Sequence, residues 1–155
     1  MDARPLLERV ARALGSARLE AVLVGNAGAA LHGAPVTTLD FDFMFRKTAT
    51  NLRKLKLVAR QLDAVILKPF YPASDLFRVV NDQIGLQVDF MARLDGVRSF
   101  EALRARATTA RLGGASLLVA DLADIVRSKR AANRPRDRAV LEVLETTLRE
   151  KAKRD

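Results

Sequence analysis

The chain has 155 residues, 49% hydrophobic and 29% charged, which is enough to bury a core and too apolar for a disordered chain. Its 27 Lys and Arg outnumber 18 Asp and Glu, and the net charge of +9 favours anionic partners such as nucleotides and nucleic acid. The absence of cysteine excludes disulfides and thiolate metal sites, and aromatics at 5% with no Trp argue against a base-stacking platform.

The N-terminal stretch MDARPLLERVARALG is charged throughout, unlike a signal peptide. Leu6, Leu7, Val10 and Leu14 form one helical stripe over Arg4 to Leu14, with Gly15 placed to stop it. Glu20 to Val24 is a short valine-rich run suited to a buried strand. Gly25-Asn26 then leads into AGAALH, a short helix ended by His32-Gly33-Ala34-Pro35. From Leu39 to Phe45 the residues alternate, Leu39, Phe41, Phe43 and Phe45 on one side and Asp40, Asp42 and Met44 on the other.

Thr48 to Asp63 predicts an amphipathic helix capped by Thr50 or Asn51, with Leu52, Leu55, Val58, Ala59 and Leu62 facing inward. Ala64 to Leu67 reads as a strand. Leu76 to Val80 and Ile84 to Met91 read as a hairpin about Asn81-Asp82-Gln83. A helix over Ser99 to Ala105 has Ser99 as its cap. Thr108 to Leu112 and Ala115 to Val119 flank Gly113-Gly114 as a second hairpin. Asp121 is placed to cap a helix reaching about Ala132, and Pro135 to start the last one. The pattern predicts one α/β (α+β) domain over residues 1–155, with a core over about 20–119 and C-terminal helices over about 120–152. No run approaches the roughly 20 apolar residues of a membrane span, so a cytoplasmic protein with no membrane partner is expected.

Asp40 and Asp42, two apart on a strand, leave the same face about 7 Å apart. Carboxylates brought together in a partly apolar site repel, and a shared proton or a divalent cation relieves them. The alternative is an edge strand whose carboxylates face water. Asp89 interrupts an otherwise apolar strand on the face of Gln87 and Met91. Were that strand to pair beside the Asp40/Asp42 strand, three carboxylates would converge, a donor set suited to one or two Mg²⁺.

Gly25-Asn26, Thr38-x-Asp40-x-Asp42 and the later Asp89 together resemble the polymerase-β-like nucleotidyltransferase superfamily. The run VGNAGAALHGAPVTTLDFDF looks most like the minimal nucleotidyltransferase toxins of type IV toxin–antitoxin systems. DLADIVRSKRAANRPRDRAVLEVLE is similar to that family's C-terminal helices. The resemblance covers roughly Glu20 to Leu148 and implies a small mixed-sheet nucleotidyltransferase palm flanked by helices.

It further implies that Gly25 and Asn26 line a turn whose backbone N–H groups hold the phosphates of an NTP co-substrate. Asp40 and Asp42, with Asp89, would hold Mg²⁺ and carry the catalysis, Thr38 would contact nucleotide, and Lys129 would face the triphosphate. Arg134 and Asp137 would fix the last helix. Two positions depart from the pattern: Asn26 stands for the second glycine or serine, and Val36 for an arginine. His32 matches a helix-ending His-Gly, with catalysis as its alternative role. The run Arg127, Lys129, Arg130, Arg134, Arg136 and Arg138 offers a basic wall suited to RNA, or a solvated helix face. The expected reaction is NMP transfer to a macromolecular hydroxyl, on tRNA or on a protein, by a toxin with a cognate antitoxin. The alternative is a catalytically weak module that binds a protein or RNA.

Overall fold

The computed structural model describes residues 3–67 and 75–154. Within them, seven strands make one mixed sheet: β1 (Ala21–Val24), β2 (Asp40–Phe45), β3 (Val65–Leu67), β4 (Leu76–Asn81), β5 (Leu86–Met91), β6 (Thr108–Leu112) and β7 (Ala115–Val119). Their spatial order is β3-β4-β5-β2-β1-β7-β6. The helices are α1 (Arg4–Ala17), α2 (Gly25–Leu31), α3 (Ala49–Gln61), α4 (Phe100–Arg106), α5 (Leu122–Ala132) and α6 (Pro135–Arg154). The mixed α/β class expected from the pattern is therefore what forms. None of the helices is long and apolar enough to cross a membrane.

Strand β2 lies mid-sheet, antiparallel to β1 and parallel to β5. Its alternation decides the layering. Phe41, Phe43 and Phe45 enter one core with Leu7, Val10 and Leu14 of α1 and Leu55 and Val58 of α3. Met44 enters the other, with Val22 and Val24 of β1, Phe100 and Leu103 of α4, Ile125 and Val126 of α5 and Leu144 of α6. Leu39, expected beside the phenylalanines, is 40% exposed because β2 begins only at Asp40. Phe43 stacks on Phe90 at 5.5 Å, and Phe45 meets Phe90 edge-on at 5.8 Å, so the aromatics lock β2 to β5.

Several helix ends differ from expectation. α1 passes through Gly15 and stops where Arg18 takes a left-handed φ of 55°. There the Leu19 N–H reaches Leu14 O and the Arg18 N–H reaches Gly15 O, satisfying the terminal carbonyls without a glycine. Thr48, not Thr50 or Asn51, caps α3: its hydroxyl accepts from the Asn51 N–H at 3.1 Å. Ser99 caps α4 as expected, whereas Asp121 sits at the N-cap of α5 without a side-chain bond. Asn133, at φ 50°, ends α5, and Asp137 then accepts from the Arg134 N–H at 3.1 Å and from its guanidinium at 2.6 Å. Arg134 and Asp137 thus fix the start of α6.

Phe90→Ala should cost about 3–5 kcal/mol in urea unfolding, because the fully buried ring packs against Phe43 and Phe45 at the joint between β2 and β5.

Candidate active site

Cross-strand register builds a single row of residues on the face covered by α5. Val24 of β1 pairs with Asp42 of β2, Asp42 with Asp89 of β5, and Asp89 with Arg78 of β4. Paired positions share a face, so the two aspartates and the arginine stand side by side. Immediately beyond Val24 the chain turns at Gly25, at φ 66°. A Cβ there would come within 2.9 Å of Asp42 Oδ2, so only glycine lets this backbone lie against the carboxylate.

The row floors an open cleft of about 960 Å³. One wall is Ser128 and Lys129 of α5 with Arg134 and Arg136 at the α5–α6 corner, and the other is the loop 92–99 after β5. That loop packs close to α5 at Gly96, where a Cβ would meet Arg127 O at 2.8 Å.

The charges are unevenly compensated. Asp89 is buried, and Arg78 grips both of its oxygens, Nε at 2.9 Å and Nη2 at 3.1 Å. Asp42 has no such clamp, and its pKa is pushed up to about 6 by burial first, then by the Asp89 and Asp40 charges, with Lys129 pulling the other way. Burial draws the Lys129 pKa below the ordinary lysine value, against the attraction of Asp137, 3.7 Å away, and of Asp42. Arg134 is committed to Asp137: burial disfavours that carboxylate, but the arginine's hydrogen bonds and charge hold its pKa below the usual range.

The expected residues divide accordingly. Gly25, Asp42, Asp89 and Lys129 meet in the cleft. Asp40 begins β2 two residues from Asp42, exposed and outside the lining, although its charge is felt at Asp42 and Arg78. Thr38 lines a separate cavity against α1 and α2, as does Val36, and its hydroxyl accepts from the Asp40 N–H at 3.0 Å. Asn26 lies outside the lining, with its side-chain oxygen buried and without a hydrogen-bond partner. The expected three-carboxylate cluster is not assembled: among the described residues, no three His, Cys, Asp or Glu side chains gather closely enough to hold a metal ion. Asp40 stands apart, and Asp89 is taken by Arg78.

His32 lies away from the cleft. Its Nε2 donates to Ala120 O at 2.7 Å, because a carbonyl can only accept, and its Nδ1 accepts from the Lys151 ammonium at 2.7 Å. It ties the end of α2 to α6. The basic run is largely spent internally, Arg127 on Asp124, Arg130 on Glu145, Arg134 on Asp137 and Arg138 on Asn133 O; Lys129, Arg134 and Arg136 line the cleft. Sequence reasoning missed Arg78 and the loop 92–99. Arg78 was detectable, since pairing Asn81 with Leu86 in the hairpin brings Arg78 opposite Asp89.

Asp40 and Asp42, two residues apart on β2, with Asp42 strained by burial and by the Asp89 charge, are oxygen donors of the kind a divalent cation takes. Asp89 can add to that set only in exchange for Arg78.

With Asp42 titrating at about 6 when folded, the native chain binds more protons than the unfolded one between about pH 4 and 6, so this group's contribution to stability falls as pH rises through that window. Asp42→Asn should therefore be more stable than the parent by about 1–3 kcal/mol at pH 7, and equal to it below about pH 4, in melts without divalent cation. Equal stability at pH 7 would show that the carboxylate is not under this strain.

No protein-family model matches the chain, and no curated protein sequence matches it significantly. Its fold does match solved structures. A solution structure of the antibiotic-resistance factor ANT(2'')-Ia superposes with a TM-score of 0.66 at 12% identity, over 94% of this chain and 83% of that one. A crystal structure of ANT(2'')-Ia with adenylyl-2''-tobramycin gives 0.65 at 16% identity, over 97% and 92%. A candidate nucleotidyltransferase from Thermotoga maritima gives 0.58 at 18% identity, over 94% and 92%. The chain thus has the fold of the nucleotidyltransferases, with Asp42, Asp89 and Gly25 at one cleft of its sheet.

Proposed function

We propose that the protein is a divalent-cation-dependent nucleotidyltransferase that moves NMP from an NTP to a hydroxyl of a macromolecule, with tRNA as the acceptor. The observation that carries this reading is the Arg78–Asp89–Asp42–Val24 row, ending at the Gly25 turn beneath Lys129. The fold likeness supports the reaction class, and the net charge of +9 with Arg134 and Arg136 at the cleft supports an anionic acceptor.

In this reading Gly25 and Asn26 offer backbone N–H groups to the phosphates, and Lys129 opposes the charge of the triphosphate. Asp40 and Asp42 hold the cation, and Thr38 fixes the start of their strand through Asp40. Mg²⁺ bound there would neutralise phosphate charge and lower the pKa of the attacking hydroxyl. The hydroxyl oxygen bonds to the α-phosphorus, the bond to pyrophosphate breaks, and the hydroxyl proton leaves to solvent at the open mouth of the cleft. NTP and tRNA place the activity in the cytoplasm, and its biological role in this reading is that of a toxin held in check by a cognate antitoxin.

A second reading, a weak enzyme serving as a binding module for RNA or a protein, is favoured by the orphaned Asn26 oxygen and by Arg78 occupying Asp89. Calorimetry separates the two: NTP binding that needs Mg²⁺ and is lost in Asp42→Asn supports the first, and binding indifferent to both supports the second.

Labelled NTPs offered in turn with Mg²⁺ and tRNA should transfer label from one of them. Asp40→Asn or Asp42→Asn should lower that transfer about a thousandfold, roughly 4 kcal/mol of barrier, and Lys129→Ala about ten- to a hundredfold. Transfer unaffected by Asp42→Asn would overturn the assignment.

A further inference from the structure

Arg78 is given no chemical role in the reading above, yet it makes a two-bond, charge-assisted contact on the floor of the cleft. Its guanidinium lies flat against Asp89 in a two-bond fork, at 2.9 and 3.1 Å. The partners differ in freedom: the Asp89 side chain is 10% exposed and the Arg78 side chain 43%. The carboxylate is therefore fixed in the sheet, while the guanidinium can swing into the cleft and remain solvated. Releasing Arg78 without a replacement would leave Asp89 buried, unpaired and beside Asp42, which is costly. A replacement cation has to arrive as the guanidinium leaves.

Building on the nucleotidyltransferase reading, we propose that Arg78 is a displaceable counter-ion: it holds Asp89 in the resting cleft, releases the carboxylate to a divalent cation, and turns to the phosphates of the incoming nucleotide. Three observations fit together under this exchange. The register puts Arg78, Asp89 and Asp42 in one row, so the exchange needs only a side-chain rotation. Arg78 occupies both oxygens of Asp89, the carboxylate paired directly with Asp42. Arg78 itself lines the cleft, so its freed guanidinium stays in the space where a triphosphate would lie. The exchange keeps charge balanced: one positive group leaves the carboxylates as another enters, and the freed arginine meets the negative charge that accompanies the nucleotide.

The test uses Mn²⁺ as a paramagnetic probe of the cation site, titrated by electron paramagnetic resonance without nucleotide, and then calorimetry with each of the four NTPs. Arg78→Gln should bind Mn²⁺ about tenfold tighter than the parent, since the competitor for Asp89 is gone, and Arg78→Lys, which keeps the charge but loses the fork, should fall between. At saturating Mn²⁺, Arg78→Gln should bind its NTP more weakly than the parent. Mn²⁺ affinity unchanged or reduced in both Arg78 variants, while Asp42→Asn still abolishes binding, would make the pair a fixed strut and overturn the exchange, leaving the enzymatic reading intact. No Mn²⁺ binding in the parent or in either variant would overturn both.

Discussion

One constraint organises the molecule: strand β2 must be a core strand and a chemical strand at once. The twofold alternation of an extended chain allows this. Phe41, Phe43 and Phe45 bury one side against α1 and α3, and Asp42 is delivered to the other without any loop to hold it. Because β2 sits between β1 and β5, it cannot slip by one residue without sending three phenylalanines into the cleft and two aspartates into the core. The position of Asp42 relative to Asp89 and Gly25 is thus set by hydrophobic packing on the opposite face.

That arrangement makes the cleft an electrostatically strained place in a well-packed protein. Asp42 resists ionisation, and burial makes the Lys129 ammonium harder to keep charged. Elsewhere the buried charges are satisfied: Asp124 takes three hydrogen bonds from Arg106 and Arg127, and Asp137 is held by Arg134. Unrelieved groups that cluster at one cleft while the rest of the fold is well paired are what a binding site needs, because a ligand gains by relieving them.

Much of this was legible in the sequence, for definable reasons. The strand alternation of β2 and β5 and the helical stripe of α3 report burial directly, and burial is what sequence pattern encodes best. Helix ends were harder. Gly15 looked like a stop, but α1 continues because Leu14 and Ala17 still have a core to reach, and Arg18 accepts the left-handed turn in place of glycine. Thr48 was overlooked as a cap because Thr50 and Asn51, equally able cap formers, follow it closely. The sequence pointed to four residues that meet in the cleft, Gly25, Asp42, Asp89 and Lys129, but not to their partners, and it placed Asp40, Thr38 and Asn26 there although they lie outside its lining. Grouping Asp40 with Asp89 required knowing that Asp40 opens β2 in an exposed position beside Gln87 and that Arg78 already holds Asp89, and reading the basic run as a wall required knowing that Asp124, Glu145 and Asp137 would claim much of it. Pairing between distant segments depends on register, which composition does not report.

The hairpin of β4 and β5 also bears on how the cleft comes to exist at all. Arg78 and Asp89 face each other across a tight turn at Asp82–Gly85, so their meeting needs the closure of only a short loop. Asp89 and Asp42 meet through a parallel pairing whose intervening chain includes α3, β3 and β4, a much longer closure. Short loops cost less entropy to close than long ones, so the match of Asp89 with Arg78 is secured within the hairpin itself and does not depend on the longer closure against β2. The like charges that would oppose this docking are softened by a neighbour supplied from the same hairpin. The sheet can therefore close over a pair of carboxylates without waiting for any ligand to reconcile them.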